Sequence, residues 1–522
     1  MPRTPVPRRS ILSVVAVLIV ALTTSLTVMR SEASGAGVGL PKGVALQSLV
    51  VIPLDALASS QDRALVASLQ GLVAKRSSEQ IFIDDGGPSR TWKNYLVSRY
   101  GIRLSHSYAT LPSLVAHFKR YVNGYILYDM SGNPQSLNVA TSLSGPLGGL
   151  PVDRSQLKQI TSLGVRRLLD VSDTSEEWAY QNYGWMFSET TAAELDFDVY
   201  HQLRDYATLT NSFTFFDGVT DWRRQVLGGL GPGATLFGWG KNEYEMVNQA
   251  SREGVTTIAA DLASNLSVLS SVHTIEGLTQ KAVPRPATQK KHYVSFVVSD
   301  GDNIQWDLRG LQEYYGNADR GSFSVGYGIS PSLVDLAPSA LRWYYENASG
   351  GVAKDHFIAG PSGGGYVYPS RMVSDDLDQF VGRLNAYMGM ADLRIAQILD
   401  DQESFDRSDL WSKYLQQPNI DALFYFGADA RGRIGWVNNK PVVGQRDVLW
   451  AGITDESTLI REISSRPASP TSADGYTLVL VHCWTKSLSD IKTVVEGLGT
   501  DVEVVTPQEF VSLIQQNDVH SG

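Results

Sequence analysis

The sequence predicts an α/β protein: an N-terminal α/β region followed by a C-terminal (β/α) barrel-like domain of seven or eight strands. Three observations point there. Short apolar runs recur along the chain, and many end in acidic residues. Segments with apolar residues at helical spacing lie between several of them. Apolar residues make up 43% of 522 positions, enough for packed cores in two to four domains.

The elements follow in order. Residues 1–33 read as a signal peptide. Arg3, Arg8 and Arg9 form a basic start, Ile11 to Met29 is an apolar run, and Ser31-Glu32-Ala33 is a small-x-small cleavage site, with Ser34-Gly35-Ala36 a second. Arg8-Arg9 partly matches a twin-arginine signal. No cysteine lies near the cleavage region, which excludes a lipoprotein, and no other stretch is long and apolar enough to span a bilayer. Residues 34–279 form the α/β region, in two or three small units. Strands are expected at Leu49 to Leu54, Ile81 to Ile83, Tyr125 to Tyr128, Thr235 to Gly240 and Thr256 to Ala259, with helices at Gln61 to Lys75 and from Leu137. Residues 280–291, basic and holding two prolines, read as a linker.

In residues 292–518 the strands are Tyr293 to Val298, Phe323 to Tyr327, His356 to Ala359, Arg394 to Leu399, Ala422 to Phe426, Val448 to Ala451, Tyr476 to Val481 and Val502 to Val505. Helices are expected at Leu336 to Asn347 and Asp375 to Met388. In such folds the site lies beyond the carboxyl ends of the strands. Those ends carry Asp300, Asp302, Tyr366, Tyr368, Asp400, Asp401, Glu403, Asp429, His482 and Trp484.

Four segments carry chemistry. Asp300-Gly301-Asp302-Asn303 sets two carboxylates and an amide in a tight turn, suited to acid/base work or to oxygen ligation of Ca²⁺ or Mg²⁺. The plainer reading is turn-forming and capping Asp and Asn. Asp400-Asp401-Gln402-Glu403 follows another apolar strand, and Asp401 or Glu403 with Asp300 or Asp302 would give the two carboxyl groups that glycoside hydrolysis needs. The alternative is surface charge opening a helix. Trp239-Gly240-Lys241-Asn242-Glu243 joins a stacking platform to a carboxylate, or else a core Trp to a helix-start Glu. Gly363-Gly364-Gly365-Tyr366-Val367-Tyr368-Pro369 is a loop that presents two rings. Gly360-Pro361-Ser362-Gly363-Gly364 fits G-x-S-x-G, but no helix start follows, so the match is accidental. His482, at a strand end, is an acid, a base or a sugar hydrogen-bonder, although a lone His is more often structural.

Composition narrows the partners. The charge is −10, and cleavage after Ala33, which removes four arginines and one glutamate, takes it to −13. Such an acidic chain is a poor nucleic-acid binder. Cys483 is the single cysteine, so there is no internal disulfide, and no H-E-x-x-H, H-x-x-x-H or Cys cluster supports a zinc hydrolase. No cofactor is expected beyond the cation that Asp300 and Asp302 could hold.

Gly363, Gly365, Tyr366, Tyr368 and Pro369 match residue for residue the signature of the GxGYxYP family. Ser68-Leu69-Gln70-Gly71, Asn138 to Leu143, Asn265-Leu266-Ser267 and Ser299 to Asn303 also resemble that family, so the likeness covers nearly all of the chain after the signal. The resemblance implies an exported bacterial protein, a candidate glycoside hydrolase with its signature in the C-terminal domain. The resemblance also implies a lipid anchor, as in many members of that family, and this chain lacks the lipid-attachment cysteine. The resemblance carries over no catalytic set, so the site rests on the strand ends: Asp300, Asp302, Asp401 and Glu403 as acids, with Tyr366, Tyr368, Asn303, His482, Trp484, Trp239 and Glu243 binding a polysaccharide or oligosaccharide. Two other readings stand beside it. One is a non-catalytic carbohydrate-binding protein. The other is a metal-dependent polysaccharide deacetylase, whose Asp-Asp-Gly turn and late Leu-His the chain echoes at Asp300 and Val481-His482 without the His-x-x-x-His pair. After signal cleavage the protein is expected to be secreted and free of the membrane, in an oligomeric state that the sequence leaves open.

Overall fold

Parallel strands covered on both faces read as near-continuous apolar runs, and the run around Leu49 forms the first of them. The computed structural model describes residues 39–216, 221–273, 277–351, 353–401 and 403–520; the signal segment 1–33 and Gln402 lie outside the described residues. No described helix is long and apolar enough to cross a membrane.

Three small parallel sheets precede the large one. The first has β1 (Ser48–Pro53) between β2 (Glu79–Asp84) and β3 (Arg103–Ser107). In the second, β4 (Gly124–Tyr128) lies between β5 (Gly149–Asp153) and β6 (Arg167–Asp170). The third holds β7 (Thr191–Glu194), β8 (Phe213–Phe215), β9 (Thr235–Gly238) and β10 (Thr256–Ile258) in the order β10-β9-β7-β8. The sequence reading lacks β3, β5, β6, β7 and β8. All but β7 are edge strands: β3 alternates polar residues in the open, and β5 contains Pro151, which an edge tolerates.

The fourth sheet is the largest. Its strands are β11 (His292–Val298), β12 (Val325–Ile329), β13 (Asp355–Ala359), β14 (Ile395–Ile398), β15 (Ala422–Tyr425), β16 (Ile434–Val437), β17 (Lys440–Gly444), β18 (Asp447–Leu449), β19 (Tyr476–Val481) and β20 (Val502–Val504). They run β18-β19-β11-β12-β13-β14-β15-β17-β16, with β20 also paired to β11. This corrects the expected barrel of seven or eight strands, because among the described residues no pairing joins β18 to β16. The reason is local. Asn438 and Asn439 both take left-handed φ (51° and 59°) and fold β17 back on β16 as an antiparallel hairpin, which ends the parallel winding at that edge. The sheet still curls. Residues just past β15 and just past β18 line one cavity, although six strand steps separate them. At about 4.8 Å per step a flat sheet would hold them about 29 Å apart.

A buried polar network ties the three small sheets together. Helix Ser60–Ala74 starts at a capping box of Ser59 and Asp62 and is buried from Ala64 onward. Gln70 Nε2 donates to Asn265 Oδ1 at 2.8 Å, and Asn265 Oδ1 also accepts from the Ile83 N–H. Arg204, fully buried, donates to Asn138 Oδ1 at 2.9 Å and Thr141 Oγ1 at 2.8 Å; burial lowers its pKa to about 10. Its neighbour Asp205 accepts from Ser267 N–H and Oγ, both at 2.8 Å. Residues 40–522 form one compact unit.

Candidate active site

The site forms where the ends of the large sheet meet the third small sheet. After β11 the chain turns through Asp300, whose φ is +63°. Gly301 lets that turn lie on the next strand: a methyl there would sit 2.0 Å from the Gly328 carbonyl carbon, and one on Gly360 would be 2.2 Å from that of Gly301. Backbone contact this close fixes the directions of Asp300 and Asp302. The Ile304 N–H donates to the Ala259 carbonyl just past β10 at 2.9 Å, which joins the turn to the third sheet.

The signature loop makes a second joint. Tyr366 and Thr257 exchange both backbone hydrogen bonds, at 2.7 and 3.2 Å, as an antiparallel bridge to β10. Gly365, at φ +149°, permits it, since a methyl there would lie 2.4 Å from Thr256 Cγ2 and 2.8 Å from the Thr257 carbonyl oxygen.

Between these joints is a cavity of about 390 Å³. Asp300, Asp302, Asn303, Trp239, Glu243, Tyr366, His482 and Trp484 all line it, so eight of the eleven residues expected from the sequence come together. Asp300 accepts from Trp484 Nε1 at 3.0 Å, from Cys483 Sγ at 3.4 Å and from Ser299 Oγ. Asp302 is 7% exposed; burial, then the nearby Asp300 and Glu243, push its carboxyl well above the usual carboxylate range. One turn thus carries a carboxyl that burial pushes well above the usual range beside a carboxyl held by three hydrogen-bond donors. Asp307, also fully buried, sits behind them with its own carboxyl raised by burial.

The facing wall is aromatic. The Trp239 and Tyr366 rings are near parallel, with centroids 6.5 Å apart, and Tyr366 Oη donates to Glu243 Oε1 at 3.0 Å. The His482 ring stacks on Trp450 at 3.7 Å, and its Nδ1 is 2.8 Å from Thr485 Oγ1. Burial lowers the His482 pKa, and Asp300 opposes that shift. Oxygen ligands for a Ca²⁺ or Mg²⁺ would come from Asp300, Asp302 and Asn303. Asn303 Oδ1 already accepts from the Trp306 N–H at 3.1 Å, so it and Asp300 would have to release present donors.

Family models match four successive segments: "GxGYxYP_N 1st domain" over residues 48–120, "GxGYxYP_N second domain" over 122–186, "GxGYxYP third domain" over 189–271 and "GxGYxYP putative glycoside hydrolase C-terminal domain" over 290–515. The chain belongs to the GxGYxYP family. A crystal structure described as a putative hydrolase from Bacteroides thetaiotaomicron VPI-5482 is 42% identical to this GxGYxYP protein, with a TM-score of 0.89 over 93% of this chain and 98% of that one. A structure of a putative polysaccharide deacetylase from Mycobacterium smegmatis is 10% identical, with a TM-score of 0.32 over 47% of this chain and 97% of that one. No protein with a curated description matches.

Three expected residues of this GxGYxYP protein lie elsewhere. Tyr368 is buried behind Tyr366, ring edge to face at 5.6 Å, and against Tyr244; burial pushes its phenol up to about 12. Asp401 and Glu403 line a separate open hollow of about 540 Å³ with Arg371 and Arg407. Arg371 holds Asp401 through two nitrogens at 2.7 Å, and Glu403 is exposed. Ser362, in the G-x-S-x-G match, is fully buried and donates to the Val367 and Leu399 carbonyls at 2.9 Å.

Gln397 and Trp450 are among the lining residues that the sequence reading missed. Gln397, on β14, is fully buried, and neither end of its amide has a hydrogen-bond partner. Its sequence signal is a polar residue interrupting the apolar strand Ile395–Ile398. Trp450 falls inside the expected strand Val448 to Ala451, but β18 ends at Leu449, so Trp450 stands just past its end.

Proposed function

We propose that this GxGYxYP protein is a glycoside hydrolase that cuts a polysaccharide or oligosaccharide in the cavity of Asp300 and Asp302. The observation that carries the proposal is the unlike pair on one turn. Enzymes that run acid and base chemistry together set two titratable groups in unlike surroundings. Asp302, kept protonated by burial, supplies the proton to the leaving glycosidic oxygen. Asp300, its oxygens fixed by Trp484, Ser299 and Cys483, acts at the anomeric carbon, directly or through water. Trp239, Tyr366, Trp450 and Trp484 supply flat apolar walls for pyranose faces. Gln397 and Glu243 supply hydrogen bonds to sugar hydroxyls. Burying an amide without a partner is costly, and a sugar hydroxyl would meet Gln397's need.

Support for a chain-like substrate comes from the far side of Trp484. That ring is 52% exposed and also lines an adjoining groove of about 600 Å³, with Trp306, Tyr314, Asn317 and Asp490. An extended sugar chain could run from one hollow into the other across the Trp484 and Trp306 rings, whose centroids are 5.1 Å apart.

The test is a panel of polysaccharides and oligosaccharides with product analysis, followed by Asp300→Asn and Asp302→Asn. Each variant is expected to lose at least about 100-fold in turnover, the contribution typical of a positioned acid or base. Full hydrolysis by either variant would remove it from the mechanism. Binding without hydrolysis by the unaltered protein would favour the carbohydrate-binding reading instead.

A further inference from the structure

In the first small sheet, away from the proposed catalytic residues, three ligating side chains converge. Glu79 opens β2, His106 lies on β3, and His117 is near the end of helix Leu111–Phe118. The carboxylate and imidazole ligand atoms all lie within 4.8 Å of one another. His117 Nε2 is 2.9 Å from Glu79 Oε2, and the two imidazole rings are 5.2 Å apart at 68°.

We propose that Glu79, His106 and His117 form a binding site for a divalent transition-metal ion of the zinc class. Two imidazoles and one carboxylate suit such an ion, and zinc ligated at about 2.0–2.1 Å brings tetrahedral ligand atoms to about 3.4 Å from one another. The observed spacing needs only small side-chain rotations to reach that. Three features set the cluster apart from an ordinary His–Glu ion pair. A second imidazole faces the same carboxylate, which a pair does not require. The other nitrogen of His117 is engaged: Nδ1 is 3.0 Å from Tyr108 Oη. With an ion bound, His117 would carry its proton on Nδ1 and donate it to Tyr108 Oη, the outer hydrogen bond that metal-bound histidines keep, and Nε2, which faces Glu79, would give up its proton to ligate the ion. The register of β3 against β1 also slips between Leu49 and Val50, where Ser105 Oγ donates to the Leu49 carbonyl at 3.1 Å. Such slips re-aim side chains at sheet edges, and His106 follows this one. The buried face of the helix, Leu111, Leu114, Val115 and Phe118, anchors His117 to the sheet. His106 is exposed, which leaves the fourth coordination position open to solvent.

The experiment uses the full chain, stripped with chelator and freed of it, and titrated with Zn²⁺ against a chromophoric competitor. One zinc per chain is expected, and Co²⁺ in its place should give visible absorption bands of a tetrahedral field. His106→Ala should weaken zinc at least about 10-fold, as loss of a ligand or its outer partner does; its exposed position makes misfolding a poor explanation. Glu79→Gln should do the same, and His482→Ala, at the other site, should leave zinc affinity unchanged. Substoichiometric binding, or zinc affinity that survives both His106→Ala and Glu79→Gln, overturns the proposal.

Discussion

Replacing Asp302 with Asn tests the electrostatics of the cavity before any substrate is known. The buried Asp302 carboxyl has a raised folded pKa, from burial first and from Asp300 and Glu243 next. A carboxyl raised on folding contributes its full stability below the unfolded value, near 4, and loses it as pH rises toward the folded value. Over that window the folded state holds one more proton than the unfolded chain, so unfolding free energy falls by about 1.4 kcal/mol per pH unit on account of this group. Asn has the same shape and no proton to lose, so the variant escapes that fall. Asp205, also buried and raised, titrates in both proteins and cancels in the difference, whereas Asp307, raised by burial first and then by Asp302 itself, loses only that second contribution in the variant. The assay is urea unfolding of the two proteins at several pH values between 5 and 8. The variant's relative stability should climb with pH by about 1.4 kcal/mol per unit until the native carboxyl ionises. Parallel curves would mean that Asp302 is already ionised in the folded protein, and the acid role proposed for it would fall with that result.

Four other substitutions have distinct signatures. Trp484→Phe removes the donor to Asp300 and keeps a ring; a hydrogen bond to a charged group contributes about 1.5–3 kcal/mol, so turnover should drop about 10- to 100-fold while thermal stability barely moves. Gln397→Leu deletes two unpartnered polar atoms, and an unchanged or higher melting temperature together with weaker substrate binding is the expected pair of results; lower stability with full binding would contradict the role given to this amide. Gly365→Ala drives a methyl into Thr256 and the Thr257 carbonyl, and chemical denaturation should register a loss of about 1–3 kcal/mol or more. Glu403→Gln alters the separate hollow, so hydrolysis should stay within about three-fold; a loss near the about 100-fold expected of a catalytic acid would move the active site there.

Strand ends carry most of the residues that the sequence placed in the cavity, because strand ends are what the fold gathers. An apolar run followed at once by acids, as at Val298 to Asp302, marks both the strand and the place where its chain emerges. The same rule flagged Asp401 and Glu403 and could not say which way they point. After β14 the chain turns toward Ser370 and Arg371, which take up Asp400 and Asp401, and that choice depends on residues about 30 positions away in sequence. The expected strand Val448 to Ala451 took Trp450 as a strand residue, whereas β18 stops at Leu449 and leaves Trp450 past its end, and the open form of the large sheet was hidden by a two-asparagine turn whose left-handed φ values the sequence reading overlooked.

The stretches by which the sequence resembles its family divide along the same line. Gln70 and Asn265 meet in a buried hydrogen bond, Asn138 and Thr141 hold Arg204, and Ser267 holds the adjacent Asp205. None of these side chains lines the cavity. They hydrogen-bond one another where three small sheets, each too small to bury itself, press together, which offsets most of the cost of burying them, although Gln70 Oε1 and Asp205 Oδ1 keep no partner. The signature works on both sides of this division. Its glycines let Tyr366 bridge β10, its second tyrosine packs beneath the first, and only Tyr366 of the two reaches the cavity. Its first effect is therefore mechanical. It fixes Trp239 and Glu243, carried by the third sheet and the helix after it, opposite Asp300 and Asp302, carried by the fourth. A cut in that bridge should separate the two walls of the site while each half keeps its own fold, which is why Gly365, with no side chain at all, is as informative a position to alter as either acid.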